Sequence, residues 1–189
     1  VQQSGVAAHY VSLGRLLALH DRTDAALSNF HQALDLDSLV PDAHRGIADM
    51  LVARGDFDAA RDALEAAIGL NSNDAYAFES LAQITKKDVW PQDRLAQLES
   101  LGADPSLSAS ERAAALFAAG KLSDGSGEYT QAFDYMARAN QAMCEVVQYA
   151  PEEHARLADR ITASFQSFTP SDVPPGENDV RPIFIVGMP

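Results

Sequence analysis

Cysteine is nearly missing from this 189-residue chain: Cys144 stands alone, so no internal disulfide can form. It sits among Ala142, Met143, Val146 and Val147, where a half-buried helix position is expected. Basic residues are also scarce, with 14 Lys and Arg against 27 Asp and Glu and a formal charge of −13. That balance repels nucleic acid and anionic membrane surfaces, and no Lys/Arg run offers a local exception. Long apolar runs are absent too. Runs such as residues 183–187 fall far short of a membrane span of about 20 residues. No basic segment followed by an apolar one opens the chain, so no secretory signal is visible and a cytoplasmic location is expected. The sequence opens on Val1 rather than Met, which leaves room for an earlier segment. Aromatics make up only 7%, while alanine is abundant, a pairing that suits helices packed through small side chains. With 47% hydrophobic and 22% charged residues, the composition is that of a folded chain.

Catalytic and metal-binding patterns are thin. His9, His20, His31, His44 and His154 are scattered, and no pair has the i, i+3 or i, i+4 spacing that places two imidazoles on one helical face. No metal site is expected. A G-x-S-x-G nucleophile elbow is absent, and no catalytic residue is assigned. Gly120-Lys121 with a nearby serine resembles part of a phosphate loop. Such a loop needs a preceding strand, so this segment reads as a turn between two helices.

What the chain has is internal periodicity. Aligning Ala26 with Ala60 gives a shift of 34 residues. Tyr10, Leu13, Gly14, Leu17, Ala26, Phe30 and Ala33 then face His44, Ile47, Ala48, Leu51, Ala60, Leu64 and Ala67. Gly55 and Phe57 supply a turn glycine and an aromatic. This is the period of the tetratricopeptide repeat, TPR. Each unit is a pair of antiparallel helices, with Gly or Ala where the backbones approach and large residues filling the stripe between. One hairpin cannot bury its stripe alone, so units stack. Another unit follows at Leu116, Ala119, Gly120, Gly127, Tyr129, Ala132, Met136 and Ala139. Ala60 and Ala132 are 72 residues apart, four more than two periods, so the unit between them is irregular. Its first helix is expected near Asp74 to Lys87. Its second is expected near Gln92 to Leu101, started by Pro91, with Arg94 where a small residue belongs. Ser108 and Glu111 form a capping-box pattern that starts the next unit. Pro151-Glu152-Glu153 then begins one more helix, striped by Leu157, Ala158, Ile161 and Phe165, which is expected to cover the open end.

The composition changes at the end. Residues 169–181 hold three of the nine prolines and no apolar period, and read as a linker. Residues 182–189, PIFIVGMP, look like a short strand buried on both faces and closed by a glycine. The repeats, the irregular middle unit, the "GEYTQAFDYMARAN" helix, the linker and "RPIFIVGMP" together resemble bacterial TPR-sulfotransferases. In that family the strand leads into the loop that binds the phosphosulfate of the donor PAPS. The resemblance carries that role to Gly187, Met188 and Pro189, the start of the loop. The family's remaining loop, catalytic and nucleotide-binding residues would fall beyond Pro189, so this stretch by itself is expected to be non-catalytic and to hold no cofactor.

The expectation is therefore an all-α TPR superhelix of about four hairpins with a covering helix over residues 1–168, a linker over 169–181 and a truncated strand over 182–189. First helices line the concave face of such an array, and the register turns Val11, Arg15, Arg45, Asp49, Tyr76, Glu79, Gln83, Phe117 and Lys121 toward it. These mixed charges and aromatics suit an extended peptide or protein segment, or the sulfotransferase domain itself. They are equally what a solvated helix face carries. The basic-plus-Asn pattern that clamps a C-terminal carboxylate is absent, with Val11/Arg15 and Arg45/Asp49 in its place. Three functions fit: a scaffold within a PAPS-dependent sulfotransferase, a stand-alone adaptor, and an array that mediates self-association into a homo-oligomer.

Overall fold

The computed structural model describes residues 2–85, 93–146 and 151–166. The linker and strand expected at 169–189, with Gly187, Met188 and Pro189, lie outside the described residues, as do Trp90 and Pro91. Among the described residues all regular structure is helical. The helices are α1 (Gln2–Leu19), α2 (Thr23–Leu36), α3 (Pro41–Arg54), α4 (Phe57–Leu70), α5 (Ala75–Ile84), α6 (Arg94–Ala103), α7 (Ala109–Gly125), α8 (Tyr129–Cys144) and α9 (Pro151–Gln166). Residues 1–147 form one compact unit and residues 148–189 another.

Local chemistry sets the helix ends. Pro41 opens α3 at a position where its missing N–H costs nothing, and Gly55 closes it in the left-handed region at φ 81°. Asp56 and Asp74 cap α4 and α5 by accepting from the N–H groups of Ala59 and Ala77. The capping box expected at α7 is present: Ser108 Oγ accepts from Glu111 N–H, and the Glu111 carboxylate accepts from Ser108 N–H at 2.8 Å. In the second unit, α9 begins at Pro151 with Glu152 and Glu153 in its first turn.

Successive helices of the first unit pair as α1/α2, α3/α4 and α7/α8. The small residues of the register allow the approach. Ala26, Ala33, Ala60 and Ala67 are fully buried, and Phe30 and Leu64 fill the seams between hairpins. The middle pair departs from the pattern, as the spacing implies: α5 and α6 both pack on α7 more extensively than on each other. Arg94, standing where a small residue belongs, begins α6. It reaches back to Glu65 on α4 at 3.1 Å and lies over the Phe78 ring. Its guanidinium thus covers an aromatic that a closer helix would otherwise bury.

Four expectations need correction. Val11 is buried against Ala7, Ala26, Leu27 and Phe30 in the α1/α2 seam, not turned to the groove. Leu13, the counterpart of buried Ile47, is 46% exposed. Gly120 and Lys121 lie inside α7, whose turn to α8 comes only at Ser126–Glu128. Cys144, at the last turn of α8, is exposed.

Candidate functional site

First helices supply the groove. Arg15, Ala18 and Leu19 of α1, Arg45, Gly46, Asp49 and Met50 of α3, and Tyr76 and Ser80 of α5 surround a cavity of about 520 Å³ floored by Phe30. The next turns of α5 carry Glu79, Ala82 and Gln83. With Phe117, Ala118 and Lys121 of α7 and Met136 of α8, they line a second cavity of about 270 Å³. The helical register explains the sharing: Tyr76, Glu79, Ser80 and Gln83 are spaced three or four apart and fall on one face of α5.

The eight polar and aromatic residues that sequence turned to this face thus divide between two adjoining cavities. They do not play equal parts. Arg45 is largely covered, and its guanidinium is committed on both sides, donating to Asp42 at 2.7 Å and to Asp74 at 2.8 Å. Arg15 also reaches Asp42, at 2.7 Å. Arg45 lies over the Tyr76 ring, 5.6 Å from its centroid. A series Arg15–Asp42–Arg45–Asp74 therefore runs along the groove and links α1, α3 and α5. Sequence reading missed Asp42 and Asp74; the signal was there in their spacing of 27 and 29 residues from the arginines they meet, just under one repeat. It also missed the apolar linings Ala18, Leu19 and Met50, and it named Met136 only as part of the repeat stripe.

Asp49 and Glu79 differ from the framework carboxylates, for neither has an ion-pair partner among the described residues. Asp49 is an exposed residue, yet the groove walls strip part of its hydration and push its carboxyl above the usual range. Arg45 and then Arg15 draw it back, while Asp74 adds to the rise. Half-buried Glu79 is raised by lost hydration with no compensating cation. The sign of the consequence is fixed: a raised folded-state value means the ionised carboxylate costs stability above it. The cost shrinks as pH falls and is gone below the unfolded value. Asp49→Asn and Glu79→Gln are accordingly expected to hold or raise the thermal midpoint at about pH 7 and to lose that advantage below about pH 4. Melting curves across that range check it, and a lower midpoint at neutral pH would contradict the account.

No group of three or more His, Cys, Asp or Glu among the described residues is placed to hold a metal. No described helix is long and apolar enough to cross a membrane.

Residues 17–84 match the family model for the tetratricopeptide repeat. The structure of Pseudomonas aeruginosa pilF superposes with a TM-score of 0.61 at 18% identity, over 75% of this chain and 63% of that one. The fold is a TPR superhelix. MamA agrees, with a TM-score of 0.55 at 19% identity over 76% of this chain and 81% of that one. By sequence this chain is similar to an uncharacterized protein of Aquifex aeolicus (strain VF5), 28% identical over 156 residues. That match takes in 78% of this chain but spans only 19% of the length of the relative.

Proposed function

We propose that the TPR array is a scaffold whose groove holds an extended segment of a partner polypeptide. One observation carries this reading: four successive first helices bring apolar floors, two accessible aromatics and polar side chains into adjoining cavities. An extended segment offers side chains to such pockets, and backbone groups to Ser80, Gln83 and Lys121. Aromatic anchors are where binding energy concentrates. Tyr76→Ala and Phe117→Ala are expected to weaken a bound peptide about tenfold or more each, roughly 1.4 kcal/mol. Fluorescence anisotropy over an array of synthetic peptides measures this, with circular dichroism to check the fold. Binding that ignores both substitutions, or no binding by any peptide, removes the reading.

A second reading rests on Arg181 to Pro189 and their resemblance to the entry strand of sulfotransferases. On it, the scaffold serves a PAPS-dependent sulfotransferase, positioning the acceptor or holding subunits together, with Gly187, Met188 and Pro189 opening the donor loop. Sulfuryl transfer from labelled PAPS, assayed on the protein encoded by the whole gene, tests this. A gene without sulfotransferase-like sequence after Pro189 leaves the stand-alone adaptor instead.

A further inference from the structure

We infer that the groove selects a polypeptide segment carrying a Lys or Arg side chain close to an apolar one: the cation in the α1/α3/α5 cavity beside Asp49 and Tyr76, the apolar side chain in the α5/α7 cavity between Phe117 and Met136. The inference rests on the peptide-groove reading and gives it a ligand chemistry.

The charge inventory of the walls carries it. Arg15 and Arg45 would by themselves attract an anion, but both are taken up by Asp42, and Arg45 also by Asp74. Asp49 is then the unpaired charge of the first cavity: the lining residues Arg15, Arg45 and Asp49, taken with the arginines' partners Asp42 and Asp74, carry a net charge of −1. Tyr76 lines the same cavity, 39% exposed and with Arg45 over its ring, so a cation entering there meets the Asp49 carboxylate with an aromatic side chain in the same wall. Glu79 continues the negative run along α5 into the second cavity. Burial raises both carboxyls, a cost that an entering cation relieves by restoring the interactions water no longer supplies. The second cavity is built mainly of Ala82, Phe117, Ala118 and Met136, and methionine beside an aromatic adapts to apolar side chains of varied shape. Lys121, at the α7 side, is the exposed cation there, with no ion pair among the described residues. A second copy of this chain is a poor occupant, because its own charge is −13.

The test uses three fluorescein-labelled peptide sets in a Gly/Ser background: Lys with Leu at separations of one to four residues, the same with Glu for Lys, and the same with Ser for Lys. Anisotropy should rank them Lys above Ser above Glu. Asp49→Asn should weaken the Lys set about fivefold and leave the Ser set unchanged, whereas Phe117→Ala should weaken both. Salt should narrow the Lys–Ser difference. A Glu set that binds best, or an Asp49→Asn variant that binds Lys peptides as before, overturns the cation assignment while the groove reading stands. Failure of all three sets, with Phe117→Ala inert, removes both. Concentration-dependent self-association abolished by Phe117→Ala in sedimentation would make the occupant a second copy and also overturn the inference.

Discussion

Phe30→Ala is expected to destabilise the first half of the array by about 3–5 kcal/mol, the range for truncating a buried aromatic. Phe30 is 1% exposed and lies where α1, α2 and α3 meet. Both neighbouring helices have given up a side chain to receive it. A Cβ on Gly14 would come within 2.7 Å of the ring, and one on Gly46 within 2.4 Å. Gly46→Ala should therefore cost about 1–3 kcal/mol through overpacking. Because the two sites share one cavity, Phe30→Leu combined with Gly46→Ala should cost less than the sum of its parts. Repeat arrays unfold by neighbouring units rather than all at once, and Phe30 belongs to a core built from α1–α3 that meets the larger core, running from Ala48 through α4–α8, at Leu51 and Ala63. Hydrogen exchange should accordingly quicken in α1–α3 first, while urea titration gives the magnitude. A neutral Gly46→Ala would show that the ring has room the structure denies it.

Asp74→Ala carries the second large effect, about 2–4 kcal/mol. Asp74 is 7% exposed and its Oδ1 does two things at once. It accepts from Ala77 N–H at 3.1 Å, capping α5, and from Arg45 Nη1 at 2.8 Å. Losing a cap costs about 1 kcal/mol; leaving one side of a covered guanidinium without its partner adds the rest. Asp74→Asn keeps an acceptor for the cap and for Arg45, so its cost should be about 1–2 kcal/mol. Urea midpoints of the two variants separate the roles. If Asp74→Ala costs no more than a cap, the Arg45 pair contributes nothing to the fold.

The contrast between these two sites explains what could be read in advance. Gly14, Ala26, Phe30, Ala48, Ala60 and Leu64 were legible because a helix buries the same face every repeat, and a shift of 34 exposes that recurrence. Ser108 and Glu111 were legible because a capping box is a four-residue event. Arg45 was legible as a groove residue but not as part of the framework: its partner Asp74 lies 29 residues on, and the pairing depends on how far one hairpin sits from the next. Val11 was misplaced for a related reason. It sits on the border between the groove face and the α1/α2 seam, and periodicity names an apolar stripe without fixing its edges. Asp49 and Glu79 were picked out as charges; that they stand unpaired depends on the commitments of the arginines around them.

A stacked helical array is also a spring, and the Arg15–Asp42–Arg45–Asp74 series decides where it is stiff. Its ion pairs staple the inner edge from α1 through α3 to α5, so stretching that half must pull charges apart. Among the described residues no ion pair joins α5 to α7; Glu79 and Lys121 face the same cavity unlinked. The α5–α7 step is held instead by direct helix packing, so the second pocket is shaped by apolar contact alone, whereas the pitch of the first half is set by charge pairs as well.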